Sequence, residues 1–169
     1  MRTTLVTGGI GSGKSEVCRY LSSKGYPVYD CDSRCKALYG SVRGLKERIE
    51  KELGIPFDNL GGIFQDVRKI ELLESIVFPV LLDDFERWRS GLESERCFIE
   101  SATALSKPAF DGVYDEVWIV TADYDLRAGR NPKVAERDGF QHFDLSKAVA
   151  VISNNGSLNE LYDKIDRIL

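Results

Sequence analysis

The chain has 169 residues, a formal net charge of −4 and a hydrophobic fraction of 43%. That suffices for one domain with a full apolar core, and a mildly acidic chain without a block of like charges lacks the basic footprint of a nucleic-acid binder. The first apolar run is too short for a signal peptide and no stretch reaches the roughly 18 apolar residues of a membrane span, so a soluble cytoplasmic protein without membrane partners is expected. Cys18, Cys31, Cys35 and Cys97 lack paired CxxC spacing and form no familiar zinc motif with the single histidine, His142, so reduced thiols are expected.

The first predicted strand is the apolar run Leu5, Val6, Thr7, and directly behind it stands GGIGSGKS, residues Gly8 to Ser15. This GxxxxGK[ST] pattern is the most informative feature of the chain. Gly8, Gly11 and Gly13 let the backbone arch with its amide hydrogens turned inward, a concavity that phosphate oxygens fill. Lys14 reaches toward the outer phosphates, Ser15 offers a hydroxyl to magnesium, and the helix that starts there adds its positive dipole end. Gly9 and Ser12 in the loop, and Glu16 directly behind it, complete the set of candidate ATP contacts of this segment. The helix is marked by Val17, Tyr20 and Leu21, capped by Gly25 and stopped by Pro27.

Val28 to Asp30 reads as a second strand, followed by a helical segment with Cys35 and Leu38 on one side. Val42, Leu45, Ile49 and Leu53 predict another helix ending at Gly54, and Ile55 to Gly62 a loop. Asp66 caps the long pattern Ile70, Leu73, Val77, Leu81, Phe85, Trp88 and Leu92, in which Pro79 is expected to give a kink or a split. Cys97–Ile99, Val117–Val120 and Ala148–Ile152 have the length and composition of buried parallel strands. Ser157 and Glu160 form a capping box before the amphipathic Leu158, Leu161, Tyr162, Ile165 and Ile168. Five strands alternating with helices imply an α/β three-layer sandwich around a five-stranded parallel sheet, with ligands at the carboxyl ends of the strands.

Those ends carry the glycine loop, Asp30 and Asp32, Glu100, Asp123, and Asn154 to Ser157. Alternate residues of an extended segment share a face, so Asp30 and Asp32 could both look into the site, one toward metal and one toward substrate. A phosphotransferase needs such a carboxylate to accept a hydroxyl proton, and cations around the transferring group. Arg127, Arg130, Lys133 and Arg137, broken by Gly129, Pro132 and Gly139, have the composition of a mobile lid that closes on phosphates. The chain has no NKxD segment for guanine selection and no LSGGQ-type run of a transport ATPase, which leaves a small-molecule phosphotransferase.

Taken together, LVTGGIGSGKSEV, VYDCD at 28–32, VFPVLLDDFERW at 77–88, FIESA at 98–102 and VISNNGSLNEL at 151–161 resemble the dephospho-coenzyme A kinase family, in order along nearly the whole chain. The resemblance implies a P-loop kinase fold in one domain over residues 1–169, with a helical substrate lobe at about 33–95 and a lid at about 124–145. It implies transfer of the γ-phosphate of ATP, with Mg2+, to the ribose 3′-hydroxyl of dephospho-CoA. Asp32 takes the catalytic-base position with a share in the metal site; Lys14, Arg130 and Arg137 supply transition-state charge; Asp30, Lys36 and Glu100 fall on the substrate side. Asn155 and Gly156 fall near the adenine. Glu16 stands where the family usually has threonine, placing an acid beside the α-phosphate region; Lys36 replaces an arginine, Ser106 a glutamate, and Phe78 a frequent histidine. A nucleotide or nucleoside acceptor, or a non-catalytic nucleotide-binding module, are the alternatives the shortened acceptor half leaves open.

Overall fold

The computed structural model describes residues 1–138 and 143–169, apart from the side chain of Phe64. His142 and Gly139, both noted above, lie outside the described residues. The described residues divide into two compact units, Met1–Asp30 with Glu93–Leu169, and Cys31–Leu92.

The first unit is built on β1 (Arg2–Gly8), β2 (Val28–Asp30), β3 (Arg96–Glu100), β4 (Glu116–Thr121) and β5 (Ala150–Ser153), in the order β2-β3-β1-β4-β5. Every pairing is parallel. Alternation along each strand divides the buried residues between two faces. Val6, Phe98, Trp118, Val120 and Ile152 form one core with Val17, Cys18 and Leu21 of α1 (Lys14–Ser23) and Leu161 and Ile165 of α7 (Leu158–Asp166). At about 25 cal/mol per Å2 of apolar surface, each such aliphatic side chain contributes about 1.5–3 kcal/mol. Leu5, Ile99 and Ile119, one residue out of phase, are fully buried on the opposite face.

Local signals in the chain explain the element ends. Gly25, just past α1, sits at φ +89°, a left-handed conformation that a side chain resists. Ser157 Oγ accepts from the Glu160 amide while the Glu160 carboxylate accepts from the Ser157 amide, the reciprocal box expected at the start of α7. The predicted cationic lid carries two short helices, α5 (Tyr124–Arg130) and α6 (Val134–Arg137).

The second unit is helical: α2 (Cys31–Ser41), α3 (Leu45–Leu53) and α4 (Val67–Ser90). Its apolar side chains Leu38, Ile49, Leu53, Val77, Leu81 and Phe85 are buried. Arg34 on α2 donates to both carboxylate oxygens of Asp84 on α4, Nε at 2.8 Å and Nη2 at 2.7 Å, a fork that fixes one helix against the other. Three expectations are corrected here and one is narrowed. The third helix starts at Leu45 and not at Val42, because Gly44 in the left-handed conformation breaks the pattern first. The segment expected as a loop at Ile55–Gly62 forms 3-10 turns over Phe57–Gln65, anchored by buried Ile63 and by the Phe57 amide on Glu50 Oε1. Of the two outcomes expected at Pro79, the split is excluded: α4 runs through the proline as one element, since burial of Ile76, Val77 and Leu81 around it outweighs one missing amide bond. Finally, helix begins at Cys31, directly after β2, so Asp30 and Asp32 do not share an extended segment. No helix among the described residues is long and apolar enough to cross a membrane.

Candidate active site

At the carboxyl end of β1 the backbone turns through Gly8 at φ +146°, Gly11 at φ +75° and Gly13 at φ +101°. Each glycine is required twice, by its dihedral and by its neighbours. A Cβ on Gly8 would collide with the Val120 carbonyl, one on Gly11 would lie 2.7 Å from the Arg127 carbonyl, and one on Gly13 would meet the Asn154 amide nitrogen. The arch is therefore packed against α5, β4 and the loop after β5. Asn154, 6% exposed, donates from Nδ2 to the Ser12 carbonyl at 2.8 Å. Arg130 spans the same junction, Nη1 to the Gly11 carbonyl at 3.3 Å and Nη2 to the Asn154 carbonyl at 3.0 Å. Lys14 bends back over the arch, its ammonium 2.9 Å from the Gly8 carbonyl and 3.2 Å from that of Gly9. The Ser12 side chain is fully buried.

Ser15 Oγ donates to Glu100 Oε1 at 2.8 Å. Glu100 ends β3 and pairs in register with Asp30 at the end of β2, which sets two carboxylates side by side across the parallel ladder. Burial pushes the Glu100 carboxyl above the usual carboxylate range; the Ser15 hydroxyl opposes this, Asp30 adds to it, and Lys14 pulls it down. Cys18, one turn beyond Ser15, is buried, and burial followed by the charge of Glu100 raises its thiol well above its ordinary value. A side-chain hydrogen bond between the thiol and Glu100 adds to the same shift. Glu100 was expected on the substrate side; its bond to Ser15 puts it beside the hydroxyl expected to meet magnesium.

The loop after β5 holds Asn155 and Gly156. Asn155 exchanges two hydrogen bonds with Asp123, accepting from its amide and donating to its carboxylate, both at 2.9 Å. Gly156 leaves room for the Glu160 carboxylate of the capping box. Glu16, in the first turn of α1, accepts from Tyr162 Oη at 2.5 Å and is paired with Arg19. Arg127 donates to the Ala122 carbonyl at 3.0 Å and is paired with Asp138. Arg137 is the last residue of α6.

Asp32 and Lys36 belong to the helical unit. Both are exposed on α2, and four residues apart they share a face. Burial pushes the phenol of Tyr39 up to about 12, with Cys35 and then Asp32 adding to the shift. The residues that sequence reasoning did not single out are Asn154 and Tyr162. Asn154 stood in a recognised NNGS segment, but nothing in the sequence distinguished which asparagine faces the loop. Tyr162 read only as part of an amphipathic stripe.

The family model for dephospho-CoA kinase matches residues 3–153. A dephospho-CoA kinase of Fusobacterium nucleatum is 27% identical over 183 residues, 96% of this chain and 94% of the relative. One of Porphyromonas gingivalis is 36% identical over 148 residues, 82% of this chain and 71% of the relative. The crystal structure of a Thermus thermophilus protein superposes with a TM-score of 0.81 at 28% identity, covering 99% of this chain and 95% of that one.

Proposed function

The chain belongs to the dephospho-CoA kinase family, and from that premise we propose that it transfers the γ-phosphate of ATP to the ribose 3′-hydroxyl of dephospho-CoA with Asp32 as the general base. The observation that carries the ATP half is the glycine arch, in which three positions with positive φ exclude a Cβ and Lys14 bends back over the loop. Phosphoryl transfer is mostly positioning and charge stabilisation, so the needed parts are a cradle, cations and a carboxylate.

Each part has a candidate. Lys14 leaves the carbonyls of Gly8 and Gly9 for the outer phosphate oxygens, an exchange of neutral acceptors for anionic ones. Arg130, already at the Gly11 and Asn154 carbonyls, lies where the loop and the expected adenine segment meet, and Arg137 is the second lid cation. The donor set for magnesium is hard oxygen: the Ser15 hydroxyl and the Glu100 carboxylate fit that preference, and we assign Glu100 to the metal side ahead of Asp32. Held there, magnesium would neutralise charge on the phosphate oxygens. Asp32 takes the 3′-hydroxyl proton as the oxygen attacks the γ-phosphorus, and the bond from that phosphorus to the β,γ-bridging oxygen breaks with its electron pair leaving on ADP; Lys36 and Asp30 are assigned to acceptor binding, and Asn155 and Gly156 to the adenine. The residues 1–169 act as one kinase domain, with the helices from about 33 to 95 as the substrate lobe and about 124 to 145 as the lid.

An acceptor panel tests this reading. A ligand at 100 times its dissociation constant stabilises by roughly 2.7 kcal/mol. Dephospho-CoA raises the thermal midpoint and is converted to CoA in the presence of ATP and Mg2+, whereas nucleosides and nucleoside monophosphates do neither. Conversion of one of those compounds in place of dephospho-CoA would overturn it.

A further inference from the structure

Glu16 poses a physical problem that its surroundings solve. It follows Ser15 in the first turn of α1, at the helix end whose free amides and dipole favour one anion. A helical Cα–Cβ bond tilts toward the N-terminus, so an unrestrained Glu16 side chain leans toward the loop that is to hold a polyphosphate. Two anions would then compete for the same positive end. In the structure the carboxylate is drawn the other way. Arg19, three residues on, takes one oxygen, and the hydroxyl of Tyr162 on α7 donates to the other at 2.5 Å.

The two tethers are unequal. Arg19 is 72% exposed and its pair is screened, whereas Tyr162 is fixed by a parallel stack on Tyr20, with ring centroids 4.0 Å apart and planes 4° apart. Tyr20 is itself held, its hydroxyl donating to Asp166 at 2.8 Å. The tyrosine hydroxyl therefore arrives at Glu16 from a rigid platform that α1 and α7 build together.

We propose that Tyr162 is a positioning residue for nucleotide binding, which holds the Glu16 carboxylate on the α7 side of α1 and so keeps the phosphate-binding end of the helix free for the polyphosphate. The proposal rests on the reading of Gly8–Ser15 as the phosphate site, and binding of ATP by the unaltered chain tests that reading separately. The test of the tether is a cycle: ATP affinity, by calorimetry with Mg2+, for the unaltered chain, Tyr162→Phe, Glu16→Gln and the double variant. Phenylalanine keeps the stack on Tyr20 and removes only the hydroxyl. Loss of the hydroxyl weakens ATP binding about tenfold when residue 16 is glutamate, less than twofold when it is glutamine, and the tenfold effect shrinks in ~0.5 M salt. An equal penalty in both backgrounds would show that Tyr162 acts by packing alone and overturn the proposal, as would the absence of any penalty with glutamate in place.

Discussion

The turn after β1 and the turn after β2 both leave the carboxyl end of one parallel sheet, with β3 between the two strands, yet they are built on opposite principles. The first, Gly8–Ser15, is shaped by backbone: three glycines in the left-handed half of φ space, with Asn154, Arg130 and Lys14 all bonded to its carbonyls. The second passes straight from Asp30 into α2 without a glycine, and the functional groups it offers, Asp32 and Lys36, are exposed side chains on a helix. A backbone cradle tolerates few sequences and binds a common group, phosphate. A helix face can be redecorated one side chain at a time. Of the four departures from the family pattern, Lys36 and Phe78 fall in the helical unit and Glu16 and Ser106 in the other, while the loop Gly8–Ser15 itself keeps its form.

The sharpest way to separate the two regions is to disable each in turn. Asp32→Asn lowers kcat by roughly 10²–10⁴ and leaves ATP affinity within about twofold, because a base acts on the acceptor and not on the phosphate cradle. Steady-state kinetics beside calorimetry reads both numbers; a matching loss of ATP affinity would place Asp32 on the nucleotide side and break the contrast. Lys14→Ala costs about 10²–10³ in turnover, by analogy with removal of a single preorganised donor, and weakens ATP binding as well. A loss confined to acceptor binding would contradict its assignment.

Smaller effects test the scaffold of the loop. Asn154→Ala leaves the Ser12 carbonyl buried without its donor and costs about 1–3 kcal/mol, which lowers the thermal midpoint by about 2–4 °C per kcal/mol in a domain of this size. An unchanged midpoint would mean that the arch holds itself without the β5 loop. Glu100→Gln has the smallest effect on stability, and an unusual sign. A carboxyl whose folded value is raised is disfavoured as an anion in the fold, so the cost is present at neutral pH and is relieved as pH falls through the raised value toward the ordinary one near 4.3. Without Mg2+, the variant is the more stable protein at pH 7 to 8 and the advantage fades in acid, while turnover with Mg2+ falls. A pH series of melting curves checks this, and a variant less stable at pH 8 would show that the Ser15 bond outweighs burial.

How much was legible in advance follows the same division. The loop, the five strands and the cap at Ser157 are local patterns with local causes, and β2 occupies the residues expected from three letters of sequence. Long-range pairings were not legible. Nothing in the chain says that Asn154 rather than Asn155 reaches the Ser12 carbonyl, since only the register of the turn after β5 decides it. Glu100 was placed at a strand end but not on Ser15, because that contact joins residues 85 apart. Pro79 left two readings of α4 open, and the sequence could not choose between them: the local cost of a proline is fixed, whereas the burial that offsets it depends on partners in α2 and α3. The extended reading of Asp30 and Asp32 failed because β2 is only 3 residues long and helix follows at once.

The central claim, a phosphate cradle serving an acceptor hydroxyl, is met most directly by following the phosphate. With ATP labelled at the γ position, Mg2+ and dephospho-CoA, the label is expected to appear in CoA as its 3′-phosphate, at a rate that Asp32→Asn lowers by roughly 10²–10⁴. Tight ATP binding with the label remaining on ATP or released only as inorganic phosphate would contradict it.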